Sequence, residues 1–228
     1  MGVVYKSIYV THILFSHSWE VFSFGADVFG ATAFLLNLIG SFRCDFLKFT
    51  AINDSFTDHF GIWRYAQWVA ATDGTQVWWY AGCFGYSDSV DIDSKWKAAR
   101  AFSALVLIGG FLFFMFSSFS ACIGFNEKVG RPHIAVGVTL LLLSLFSGLT
   151  LLVLDSNLCK SNVLLRQLFS DIIFPDQCEL STGANCFISA TVFWFAAALC
   201  SLTASRSKSD EVEKVEGLDE PLINENRI

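Results

Sequence analysis

Four stretches of this 228-residue chain carry almost no charge, and each is long enough to cross the hydrocarbon core of a bilayer, about 30 Å at about 1.5 Å per residue. They run from about Val21 to Phe42, Ala101 to Ile123, Ile134 to Leu154 and Ala184 to Ala204. The first contains Asp27 and Asn37, whereas the second has no charge at all. A soluble domain cannot present four such segments to water, and the composition agrees. Hydrophobic residues make up 54%, charged residues only 16%, and phenylalanine contributes 24 positions. The chain reads as a membrane protein with four spans.

The connections differ in length: a long polar loop over residues 43–100, the short hinge "GFNEKVGRPH", and a middle loop over 155–183. Pro132 fits the first turn of the third helix and Gly130 relieves the turn before it, so the second and third spans are expected as antiparallel neighbours. The fold class this predicts is a membrane all-α four-helix transmembrane bundle, running up-down-up-down. A small antiparallel β-sheet is expected from the first extracellular loop. Residues 1–20 lack the cleavage site of a signal peptide and read as a cytosolic or interfacial segment. Residues 205–228, "RSKSDEVEKVEGLDEPLINENRI" after Ser205, are acidic and nearly free of aromatics, and read as a disordered cytosolic tail.

Lysine and arginine counts near the span ends are almost equal on the two sides, so the positive-inside rule does not set the orientation. Cysteines and a sequon do. Cys44, Cys83, Cys159 and Cys178 all fall in the two longer loops, and Asn53 opens the one N-x-S/T triplet of the chain, "NDS". Both features belong on the oxidising side, which puts both termini in the cytosol. One pair per loop, Cys44 with Cys83 and Cys159 with Cys178, is the simplest of the three connectivities that four cysteines allow. Cys122, Cys186 and Cys200 read as small apolar residues within or beside spans.

The long loop is rich in aromatics: "FGIWRYAQWVAATDGTQVWWYAGC" holds four tryptophans and two tyrosines. "CDFLKFTAI", "GIWRYAQWVA" and "TQVWWYAGC" have the aromatic and β-branched content of strands, separated by the turn signals "IND" and "TDG". Beyond "SDSVDIDS", "KWKAARAF" leads into the second span as one continuous helix. Trp68, Trp78 and Trp79 are candidates for a face that meets a partner.

This order of features resembles the claudin superfamily, which includes claudins, peripheral myelin protein relatives and four-span fungal eisosome proteins. The resemblance rests on Gly61, Ile62 and Trp63 in an aromatic first loop, Arg100 at the mouth of the second span, a tight second turn and a shorter last loop, over roughly residues 20 to 205. The chain is a divergent case: Ala66 stands where the family's first loop cysteine follows the tryptophan, and Cys83 lies much further on. The likeness implies that Trp63 fills the junction of sheet and helices, with Arg100 stacked on an aromatic face or bound to loop carbonyls. A tetraspanin would place its large loop between the third and fourth spans.

Enzymatic motifs are not apparent. His12, His17, His59 and His133 are scattered, no Gly-rich phosphate loop, zinc motif or nucleophile elbow occurs, and Asp88, Asp91 and Asp93 lack the rest of a calcium loop. No cofactor and no nucleic-acid partner are expected. Asp27 alone is thin support for an ion pathway, and Asn37 with the serines and glycines of the spans fits helix packing. Two functions remain. One is a structural, adhesive or membrane-organising protein that acts through its extracellular loops, by self-association or with another membrane protein. The alternative is an auxiliary subunit that modulates a channel or transporter. The plasma membrane is the expected location, with an endosomal or vacuolar membrane as the alternative suggested by "DEPLI" in the tail.

Overall fold

A computed structural model describes residues 24–52, 56–70, 78–87, 90, 92–123, 132–160, 174–175 and 177–216, with the side chains of 69–70, 78–79, 120–123, 132–133 and 205–216 left out. Most of it is helical, built around four helices long and apolar enough to cross a membrane. The first, α1, is described over Phe24–Phe42. Then come β1 (Leu47–Thr50), β2 (Thr57–Phe60), β3 (Arg64–Ala70) and β4 (Trp78–Gly85). Helix α2 (Ser94–Ile123) follows, then α3 (Pro132–Leu149), a 3-10 segment (Thr150–Asp155), the short α4 (Asn157–Lys160), β5 (Glu179–Leu180) and α5 (Thr182–Glu216). Asn53, the hinge before Pro132 and the residues before Phe24 lie outside the described residues.

Helix α2 begins at Ser94, so "KWKAARAF" is continuous with the second apolar segment as expected. Its start has a clear cause. Asp93 caps it by accepting the Trp96 amide at 2.9 Å, and its other oxygen accepts the Asn157 amide at 3.0 Å. Asp93 is thus a structural cap, whereas Asp88 and Asp91 lie outside the described residues. Helix α5 corrects the reading of the tail, since it runs to Glu216, twelve residues past the expected span end at Ala204. Extending a nucleated helix through good helix formers such as Glu211, Glu213 and Lys214 avoids the nucleation cost, and Gly217 follows the last turn.

The sheet has five antiparallel strands in the order β4-β3-β2-β1-β5. Two of them were not expected. The polar "TDHF" of β2 carries little strand propensity, yet it pairs with β1 from Leu47↔Phe60 to Thr50↔Thr57 and places Phe60 and Asp58 beside Leu47 and Phe49. Strand β5 is two residues of the last loop, and it pairs Leu47↔Leu180 and Lys48↔Glu179. The register of β3 and β4 slips between Gln67 and Trp68, leaving Ala81 as the extra residue beside Gly82, whose φ of 137° suits only glycine.

Two disulfides fix the loops: Cys44 with Cys83 and Cys159 with Cys178. Cys186 and Cys200 are free. Two apolar cores result. One, between the sheet and the helix ends, contains Phe46, Leu47, Phe49, Phe60, Ile62, Trp96, Val153 and Phe187. The other, among the helices, contains Ala33, Phe113, Leu140, Leu143 and Trp194. Backbones approach closely where α1 meets α5: a Cβ on Gly40 would stand 2.8 Å from the Gly183 carbonyl. The outer helix surfaces are apolar as well, with Leu105, Ile108, Leu112, Val192 and Phe195 all exposed.

Candidate functional site at the junction of sheet and helices

The turn from β2 to β3 is Gly61-Ile62-Trp63, closed by the Gly61 amide donating to the Arg64 carbonyl at 2.7 Å. Only glycine fits its first position, because a Cβ there would lie 2.4 Å from the Arg43 carbonyl and 2.7 Å from that of Arg64. The three residues form a turn, not the strand that their aromatic and β-branched content suggested. Ile62 is fully buried and its carbonyl points at α2, where it accepts Arg100 Nε at 2.8 Å and Trp96 Nε1 at 3.2 Å. Tyr86 donates its hydroxyl to the Gly61 carbonyl at 2.8 Å, so two carbonyls of the turn are held from β4's exit and from α2.

Arg100 sits among three aromatic rings. Its guanidinium carbon lies 4.9 Å from the Trp96 ring centroid, 5.2 Å from Tyr86 and 5.4 Å from Trp63. Trp63 does not fill the junction. It is 37% exposed, whereas Trp96 is 1% exposed and stacks edge-on against Tyr86 at 4.7 Å. The resemblance pointed to the turn's tryptophan, and the residue buried at that place belongs to "KWKAARAF". Its spacing one helical turn before Arg100 was the available signal.

A second aromatic chain crosses the sheet. Trp68 meets Phe56 at 5.4 Å and Tyr80 at 5.6 Å, and donates Nε1 to Asp58 Oδ1 at 3.1 Å. The His59 amide reaches the same oxygen at 2.8 Å, while Oδ2 is buried without a hydrogen bond. Burial pushes the Asp58 carboxyl up to about 7 against those two hydrogen bonds, and burial also pushes His59 down. Asp58 was missed because one aspartate in a short polar run carries no sequence signal of burial. Trp78 and Trp79 lie in β4, opposite Ala70 and Val69, but their side chains are outside the described set.

Among the intrahelical polar residues, Asn37 is buried and accepts Ser147 Oγ at 3.1 Å, and Ser41 and Ser103 share a hydrogen bond at 3.0 Å. Asp27 is exposed and accepts Ser117 Oγ at 2.7 Å. Arg43 pairs with Asp45, Lys48 with Glu179, and Lys95 and Lys160 with Asp155. Among the described residues no three of His, Cys, Asp and Glu gather as a metal site.

Compared with known protein families and with characterised proteins, the sequence has no match among either.

Proposed function

We propose that the chain is a multi-pass membrane protein of claudin-like design, whose four apolar helices cross the bilayer as an up-down-up-down bundle and hold the sheet outside it. Its role is structural or adhesive, organising the membrane through contacts of the extracellular sheet with a second copy or another membrane protein. One observation carries this reading: the sheet ends in the eight-residue strand β4, an edge strand with Tyr80 56% and Phe84 45% exposed. An open edge with aromatic side chains offers backbone hydrogen bonds and rigid contact area together. The Cys44–Cys83 disulfide ties that edge to the end of α1, and the clamp on the Ile62 carbonyl fixes the neighbouring turn to α2, so a partner meets a preformed surface.

The auxiliary-subunit reading draws on Asp27. A carboxylate exposed on an otherwise apolar helix surface, held by Ser117, suits a neighbouring helix that brings a donor. Copurification separates the two readings. Crosslinking in native membranes yields dimers or higher self-oligomers under the first, and a stoichiometric larger transport protein under the second. A chain that stays monomeric and without neighbours at every crosslinker length contradicts both.

A further inference from the structure

Among the described residues, the basic side chains at the sheet end of the molecule are accommodated in different ways, and Arg100 stands apart. Arg43, Lys48, Lys95 and Lys160 each have a carboxylate partner, and Arg64 and Lys97 are exposed. Arg100 is half-buried and has no ion pair among the described residues. Its Nε is used by the Ile62 carbonyl, and its Nη2 is sealed from solvent with no acceptor. Three aromatic faces and one carbonyl dipole partly offset the charge, but none of them carries the unit negative charge that a half-buried guanidinium calls for.

Arg100 also has a defined height. Leu105, the first large exposed apolar residue of α2, lies five positions further on, about 7 Å along the axis. Phe42, the last residue of α1, is exposed and directly precedes the Arg43–Asp45 pair. If the helices span a bilayer, Arg100 stands just outside the apolar belt, where headgroup phosphates lie, and half-exposed Trp63 stands beside it as an interfacial aromatic does. The site is thus a half-buried cation with aromatic walls, and among the described residues no carboxylate is paired with it.

We propose that Arg100 binds a phosphate group, supplied by a phospholipid headgroup of the outer leaflet, with Trp63 forming the wall that the lipid touches. The source of the phosphate rests on the membrane reading above, whereas the anion chemistry does not. A guanidinium suits this place better than an ammonium because its delocalised, permanent charge lies against aromatic faces and still attracts a phosphate.

The test uses the full chain purified in a maltoside detergent, which brings no phosphate. It is titrated with dihexanoylphosphatidylglycerol in one arm and inorganic phosphate in the other, with binding read by phosphorus NMR line width and tryptophan emission. The expected result is phospholipid binding that weakens at least tenfold in Arg100→Gln, and an emission change that Trp63→Phe removes while binding persists. Trp63→Phe keeps an aromatic wall, so the inference stays testable even where Arg100→Gln does not fold. Binding of inorganic phosphate alone, with the same dependence on Arg100, retains the anion site but removes the lipid as its source and counts against the membrane placement. No binding in either arm, equal binding by Arg100→Gln, or an emission change untouched by Trp63→Phe overturns the proposal.

Discussion

At the scale of single residues, burial separates two tryptophans that the sequence presents alike. Trp96 is enclosed by Tyr86, Ile62 and Arg100, and its removal leaves a cavity and takes one of two donors from the Ile62 carbonyl, so Trp96→Ala is expected to cost about 3–5 kcal/mol. Trp63→Ala loses mainly a cation–π contact and is expected to cost no more than about 2 kcal/mol. Thermal unfolding of the two detergent-solubilised variants ranks them, and the reverse order would return Trp63 to the junction. Asp58 makes a prediction with a sign. Its folded pKa of about 7 exceeds its ordinary value of 3.8, so the folded state holds the extra proton and stability falls as pH rises between those values. The slope is at most about 1.4 kcal/mol per pH unit for one proton. His59, lowered by burial from 6.5, acts in the opposite direction, since the unfolded chain then binds the extra proton and stability rises with pH up to that value. Asp58→Asn removes the first contribution and leaves the second, so unfolding midpoints from pH 4 to 8 should fall in the native chain and not in the variant. Of this chemistry, Arg100 and Gly61 were legible because each sits in a distinctive local pattern. Asp58 and Trp96 were not, because burial is settled by strands and helices distant in sequence.

At the scale of elements, the apolar helices could be read almost directly, since a run of uncharged residues twenty long has few other fates. Strands β1, β3 and β4 followed from their aromatic and β-branched content. Strand β2 did not, as "TDHF" is recruited by its neighbours and not by its own preference. The disulfides followed from the loops that hold their cysteines, and the lengths they close order their effects. By chain entropy, the 39-residue separation of Cys44–Cys83 corresponds to about 4 kcal/mol, and the 19 residues of Cys159–Cys178 to about 3. Cys44→Ser with Cys83→Ser should therefore lower the unfolding midpoint more than the Cys159 and Cys178 pair of changes, with both effects absent under reduction. The glycine contact between α1 and α5 is the tightest test of helix placement. Gly40→Leu forces atoms into the Gly183 carbonyl and Phe187, so it should lower stability by several kcal/mol while Gly85→Ala, which meets nothing within 4 Å, leaves it unchanged.

At the scale of the whole molecule, the orientation remains the most direct prediction of the membrane reading. Protease added to sealed microsomes should remove a C-terminal epitope and spare the sheet, whose disulfides belong on the oxidising side. Protection of that epitope would reverse the topology. The sheet adds a consequence for how such a chain is made. Its outer strand on one side, β5, comes from the last loop, so β1 is complete on both edges only after α2 and α3 have been synthesised. At roughly 5–20 residues per second, β1 waits on the order of ten seconds with Lys48 and Leu47 unpaired on that edge. During this interval the edge opposite β4 is the four-residue β1 instead of the two-residue β5. A ribosome-stalled chain that ends before Glu179 should accordingly associate with lumenal folding factors more than the released protein, and premature truncation there should be cleared as unfinished.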